Sequence, residues 1–296
     1  MIVDAHLHVF VKPSKQYPRS SGGLAPKERE APIEQLMDLM AANGVSKAGL
    51  VQLSGTSVDN HNYLRDCLHK FPNQFAGIGL VDEYSNNPGQ ELDELVQATG
   101  VKGIRLGQLG DPNTTDVTQL LAYPIWQRCA EHGLIMWLYP ALDQAPLIET
   151  LAAAFPSVPV VLNHLGICPD NFSIDAFRRP HVDISIPPAT MPTILKLAKY
   201  PNVFVKISGE YAFSREAYPY RDLQPVVNSL YQAFGAGRLL WATDFPWIVE
   251  EPGYNKLLHL VDEHLPSISK DERIQIMGGT ASSLLGFDLT HSQEKT

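Results

Sequence analysis

Ile2-Val3-Asp4-Ala5-His6-Leu7-His8 opens as an apolar, β-branched run and closes on two histidines one residue apart. Such residues favour an extended chain. Alternate side chains of a strand share a face, so Asp4, His6 and His8 are expected on one side and Val3, Ala5 and Leu7 on the other. If the odd-numbered set meets surrounding helices, the even-numbered set points into a barrel. Both imidazoles then stand at the strand's C-terminal end. Asp4, one step deeper, is placed to accept the other ring proton of a ligand histidine and fix its tautomer.

Working outward, seven more short apolar runs follow, at 48–53, 76–81, 101–106, 134–139, 158–164, 203–208 and 239–244. Most are near-continuous in Val, Ile and Leu, as a parallel sheet buried on both faces requires. Amphipathic stretches alternate with them. Ile33, Leu36, Met37 and Met40 recur at helical spacing behind Pro32, a residue suited to a first helical turn. Leu147, Ile148, Leu151 and Phe155 repeat the pattern, as do Val226, Val227, Leu230, Tyr231 and Phe234.

Eight strands alternating with helices over 296 residues predict an α/β fold, a (β/α)8 TIM barrel forming one domain across 1–296. A doubly wound sheet is the rival, but no G-x-G-x-x-G follows the first strand and there is no P-loop. Connections into strands are short, at 43–44, 71–73 and 200–202. Those leaving strands are longer, at 9–31, 107–123, 165–190, 209–222 and 245–254. A barrel builds its active site from that longer set.

Composition narrows the partners. The hydrophobic share of 44% suffices for a large core, and the net charge of -9 argues against nucleic acid or an anionic membrane. No apolar run approaches the ~18 residues needed to span a bilayer. Cys67, Cys129 and Cys168 are scattered, without a Cys-x-x-Cys motif, which suits a reducing compartment. The first residues lack the basic and apolar regions of a signal peptide. The expectation is a cytoplasmic protein acting on a small molecule, with a homo-oligomer left open.

The chemistry-bearing residues lie at strand ends. His164 closes the sixth run and is expected to share a face with Val158, Val160 and Leu162; Asp244 closes the eighth. Each has a plain structural reading alone, a packed histidine for the first and a helix N-cap for the second, given Pro246. Together His6, His8, His164 and Asp244 occupy one face of the barrel. Three nitrogens and a carboxylate suit one divalent metal ion, Zn²⁺ first and Mn²⁺ as substitute. Asp244 and His164 are the catalytic pair, Asp244 taking a proton from the attacking water and passing it to the leaving group.

Three residues are candidate substrate contacts. Arg105 shares inward parity with Val101 and Gly103 and could clamp a carboxylate-bearing small molecule in bidentate fashion. Tyr139 ends the fifth run and could add a hydroxyl. Lys206 lies mid-run with Phe204 and Ser208 on its face, and is read as a structural ion pair first and a substrate contact second. Tyr211, Arg215 and Arg221 fall in the following loop as pocket wall or solvent-facing groups. His61, His69, His132, His181, His259, His264 and His291 are read as structural.

These motifs resemble the amidohydrolase superfamily, in the branch known as amidohydrolase family 2. The likeness rests on Asp4-Ala5-His6-Leu7-His8, Asn163-His164-Leu165-Gly166, Lys206-Ile207-Ser208-Gly209 and Trp241-Ala242-Thr243-Asp244-Phe245-Pro246-Trp247. It extends to the closing 277–287 segment. The resemblance implies a hydrolase of a lactone or related ester or amide, with His6 and His8 as the first-strand pair. Two-metal members of the superfamily carry a Lys or Glu after the fourth strand and a histidine on the fifth. Here Ile104-Arg105-Leu106-Gly107-Gln108 and Trp137-Leu138-Tyr139-Pro140 supply neither, so at most one ion is expected. Asn163 stands where related lactonases often have Asp, and Thr280 where Asn is common. Some lactonases of the branch work without metal, which leaves a metal-free site open. The alternative activity is non-oxidative decarboxylation of an aromatic or enoic carboxylate. Decarboxylases of the branch add a histidine from a later loop, and 209–222 has none. A non-catalytic binding barrel is the third reading.

Overall fold

The structure, a computed structural model, describes residues 1–170 and 172–287. Eight parallel strands lie side by side in chain order: β1 (Ile2–Leu7), β2 (Val45–Val51), β3 (Phe75–Leu80), β4 (Gly103–Leu106), β5 (Ile135–Leu138), β6 (Val160–Leu162), β7 (Val203–Ile207) and β8 (Leu239–Trp241). The last strand returns to the first through two backbone hydrogen bonds, His8 N to Phe245 O at 2.7 Å and Asp244 N to His6 O at 3.0 Å. The barrel therefore closes at the strand ends that carry the histidine pair and the aspartate. Each apolar run overlaps its strand; β2 begins three residues before its run and β3 one, and β6 and β8 are only three residues long.

Helices α1 (Ile33–Ala42), α2 (Asn62–Lys70), α3 (Pro88–Thr99), α4 (Tyr123–His132), α5 (Ala145–Ala154), α6 (Met191–Lys196), α7 (Gln224–Phe234) and α8 (Tyr254–His264) surround the strands. Most of the expected stripes is buried: Ile33, Leu36 and Met40 on α1, Leu147, Ile148 and Leu151 on α5, and Val226, Val227, Leu230 and Phe234 on α7, with Met37, Phe155 and Tyr231 half-buried beside them. Each such side chain contributes roughly 1.5–3 kcal/mol on leaving water. No helix among the described residues is long and apolar enough to cross a membrane.

Two apolar layers result. Val3, Ala5, Ile78, Trp137, Val161 and Leu240 fill the barrel interior. Leu7, Leu50, Ile104, Leu138, Leu162 and Trp241 belong to the layer beneath the helices. This corrects the alternation expected for β1. Val3 and Ala5 face inward, not outward. The reason is a register shift: Asp4 lies opposite Ala48 and Leu7 opposite Leu50, so β1 spends three steps where β2 spends two. An extra residue of this kind reverses the parity that follows it. Asp4 faces out toward α8, while His6 turns inward beside Ala5.

The facing expected for the sixth strand is corrected likewise. Val161 joins the interior, and Val158, Val160 and Leu162 pack outward. His164 reaches the mouth by another route, described next.

Candidate active site

Three irregular backbone positions deliver the site. The β1 bulge turns His6 inward, and His8 follows it to the mouth. His164, Leu165 and Gly166 all have positive φ, at 44°, 60° and 68°, a left-handed turn that swings the imidazole back over the barrel. Asp244 also has positive φ, at 62°. Non-glycine residues in this region cost of order 1 kcal/mol or more each and persist where the surroundings impose them, commonly at functional sites. Gly209, at φ 76°, permits the close approach of the next loop, because a Cβ there would lie 2.6 Å from Nδ1 of His164. Its neighbour Ser208 places Oγ 3.0 Å from that nitrogen.

The four predicted residues converge. Oδ1 of Asp244 lies 3.6 Å from Nε2 of His6 and 3.6 Å from Nε2 of His8, and Oδ2 lies 4.0 Å from Nε2 of His164. Tyr211 donates to Oδ2 at 2.6 Å. Asp244 does not cap a helix: its side chain is turned to Tyr211 and the histidines. Burial pushes its carboxyl up to about 7, with the Tyr211 hydroxyl opposing that rise. Burial also lowers His8 to about 3 and holds His6 and His164 well below the usual imidazole range, the buried Lys206 amine adding to the effect on both. Burial thus favours the neutral form of all three rings.

Nε2 of His6 and Oδ1 of Asp244 are buried without a hydrogen-bond partner. With His8 they form a group whose donor atoms all lie within 4.8 Å of one another, close enough to hold a metal ion. That group contains three of the four expected ligands. His164 stands beside it, and Nδ1 of His8 is anchored to the Val51 carbonyl at 2.8 Å.

A cavity of about 170 Å³ opens onto these groups. Arg105, Tyr139, His8, His164 and Asp244 supply its polar wall, and Leu24, Leu53, Phe172, Phe213 and Trp247 its apolar one. Nη2 of Arg105 donates to the Leu53 carbonyl at 3.0 Å, which aims the guanidinium along the wall. The Tyr139 ring meets His164 edge to face, with centroids 5.0 Å apart.

Two expectations are corrected. Lys206 is not in the cavity lining and forms no ion pair among the described residues; it is fully buried, with Nζ against Nδ1 of His6 and 4.4 Å from the centre of the Trp137 ring. Asp4 does not orient a ligand histidine. It accepts from Thr243 N at 2.9 Å, from the Thr243 hydroxyl and from Tyr254 OH at 2.8 Å, and so clasps β1 to β8 and α8. The bulge that sends it outward is the cause. Sequence reasoning passed over Trp137, whose indole reaches His6, because it stood as one more apolar residue in the fifth run. Ser208 was noted only by parity. Buried His61 is structural, accepting from Leu80 N at 3.0 Å, and His291 lies outside the described residues.

A closed parallel barrel with imidazoles and a carboxylate gathered at its C-terminal mouth has the layout of a barrel enzyme's active site. The family model described as Amidohydrolase matches residues 3–287, and the chain belongs to this family. It is 27% identical over 249 residues to an L-fucono-1,5-lactonase of Burkholderia ambifaria, covering 82% of this chain and 80% of that one. It is 24% identical over 291 residues to a 4-sulfomuconolactone hydrolase of Hydrogenophaga intermedia, covering 96% and 88%. Its fold matches that of a Burkholderia multivorans amidohydrolase solved with bound zinc, at TM-score 0.72, 21% identity and coverage of 97% and 100%.

Proposed function

We propose that this enzyme opens the ring of a small, carboxylate-bearing lactone by adding water. The observation that carries the reading is Asp244: one oxygen is held by Tyr211, while the other is unpartnered and faces two histidines at the mouth of the cavity. A carboxylate whose pKa lies near 7 is matched to both halves of the reaction. It takes a proton from water as the water oxygen bonds to the carbonyl carbon. It returns that proton to the ring oxygen as the C–O bond breaks, leaving a hydroxy acid. Arg105 pairs with the substrate carboxylate and sets the scissile carbonyl over Asp244. Tyr139 and His164 flank the reacting group, and the apolar wall displaces bulk water. The relatives named as a lactonase and a lactone hydrolase favour a lactone over an amide, and favour hydrolysis over decarboxylation.

We further propose one divalent ion, Zn²⁺, at the mouth. His8 and Asp244 would hold it, with His6 and His164 beside them; the unpartnered Oδ1 of Asp244 and its closeness to Nε2 of His8 support this. When bound, such an ion supplies Lewis acidity to the carbonyl and makes a water more acidic. The cytoplasm is the compartment proposed, on three buried cysteines that are all unpaired.

The test is a panel of sugar-derived and unsaturated carboxylated lactones, with aromatic and enoic carboxylates as controls. Ring-opened acid and CO₂ are both followed, alongside elemental analysis of the purified protein. Hydroxy acid from a lactone is expected. Release of CO₂ without uptake of water overturns the reading.

A further inference from the structure

The two histidines of the first strand are wired in opposite senses. Nδ1 of His8 lies 2.8 Å from the Val51 carbonyl, which only accepts, so the proton of that neutral ring sits on Nδ1 and Nε2 keeps its lone pair. This is the usual arrangement of a metal-ligating histidine. For His6 the neighbour is the indole Nε1 of Trp137, 3.0 Å from Nδ1. An indole N–H only donates. Nδ1 of His6 is therefore an acceptor, and the proton of the neutral ring sits on Nε2. Nζ of Lys206 touches the same Nδ1, a second source of hydrogen on that side. All three side chains are fully buried.

We propose that Trp137 is a positioning residue that fixes the His6 proton on Nε2, facing Asp244, and so withholds His6 from a metal ion. Oδ1 of Asp244, 3.6 Å from that nitrogen and without a hydrogen-bond partner, is the group the N–H faces. For His6 to ligate, its proton has to move to Nδ1, where it opposes the buried indole N–H. The ion then has His8 and Asp244 as ready ligands, and its affinity is lower than the donor spacing alone implies. Partners of ligand histidines typically change metal affinity about 10–100-fold, and that is the range assigned to Trp137. The inference deepens the metal part of the reading above and is independent of the lactone chemistry.

The experiment is long-range ¹H–¹⁵N correlation spectroscopy of the full chain carrying ¹⁵N-histidine, stripped of metal by chelation. His6 is expected with Nε2 protonated and Nδ1 bare, and His8 with the reverse, at neutral pH. Trp137→Phe, which removes only the donor from a ring of similar shape, is expected to move the His6 proton toward Nδ1. It is also expected to tighten Zn²⁺ binding at least 10-fold in competition with a chromophoric chelator. A bare Nε2 on His6 in the wild-type protein overturns the proposal, as does unchanged Zn²⁺ affinity in a folded Trp137→Phe protein. If that variant does not fold, the wild-type spectrum decides alone. If neither protein takes up Zn²⁺, the proposed ion is lost and the spectrum still decides the role of Trp137.

Discussion

The hydroxyl of Tyr211 donates to Oδ2 of Asp244 at 2.6 Å, while Oδ1 of the same carboxylate has no hydrogen-bond partner and lies 3.6 Å from both His6 and His8. One oxygen is tethered and the other is free to exchange a proton. The tether opposes the burial that lifts Asp244 to about 7.

The sign of the pH dependence follows. Asp244 accepts a proton only when ionised, so kcat/KM of the metal-free protein is expected to rise with pH through about 7. In Tyr211→Phe the ionised form loses a charge-assisted hydrogen bond, and the rising limb should move up by about one unit. A full pH–rate profile checks this. A limb that stays in place, or moves down, removes Tyr211 from that role.

Arg105 is the cation on the cavity wall. Arg105→Met is expected to raise KM for a carboxylate-bearing lactone about 10–100-fold, with kcat changed far less. A lactone lacking the carboxylate should show little change. Equal losses on both substrates, measured by steady-state kinetics, would assign Arg105 to the barrel rim instead.

Gly209 holds φ 76° beside His164. Gly209→Ala places a Cβ 2.6 Å from Nδ1 of that ring and forces a left-handed alanine. The histidine has to shift, and a shift of about 1 Å at such a site costs on the order of 100-fold in rate. Circular dichroism should report a folded barrel while kcat falls. Full activity would show that His164 does not need its present position.

Away from the site, His264 is buried on α8 and lowered to about 4, chiefly by burial. Its folded value lies below the unfolded value of about 6.5, so the fold favours the neutral ring. The stability it supports is complete above pH 6.5 and is lost as pH falls toward 4, because the unfolded chain takes up a proton that the fold excludes. Thermal melts at pH 7.5 and 5.0 should show a larger drop in Tm for the wild type than for His264→Leu, by about 2–4 °C for each kcal/mol involved. Parallel drops would clear His264 of any part in acid sensitivity.

Much of this molecule was legible in one dimension. The eight apolar runs, the helical spacing of Ile33, Leu36 and Met40, and the longer loops after strands specify a barrel and its working face, because burial acts through periodicity. His6, His8, His164, Asp244, Arg105 and Tyr139 were readable too, since polar groups ending apolar strands are costly unless used or paired. The facing of Asp4 was not. It depends on one extra residue in β1 relative to β2, and register is a property of the pair rather than of either strand. Nor could spacing show that His164 arrives through a left-handed turn against Val161's inward parity.

What the amino-acid order determined is therefore the architecture and which residues gather at the barrel mouth. What the tertiary structure alone decided is the state of each member. Asp4 became a clasp, Lys206 a buried neighbour of His6, and His6 and His8 took opposite tautomers. The physical reason is that a hydrogen's place on an imidazole is set by the partners folding brings up, here the Trp137 indole N–H, 131 residues away in sequence, and the Val51 carbonyl.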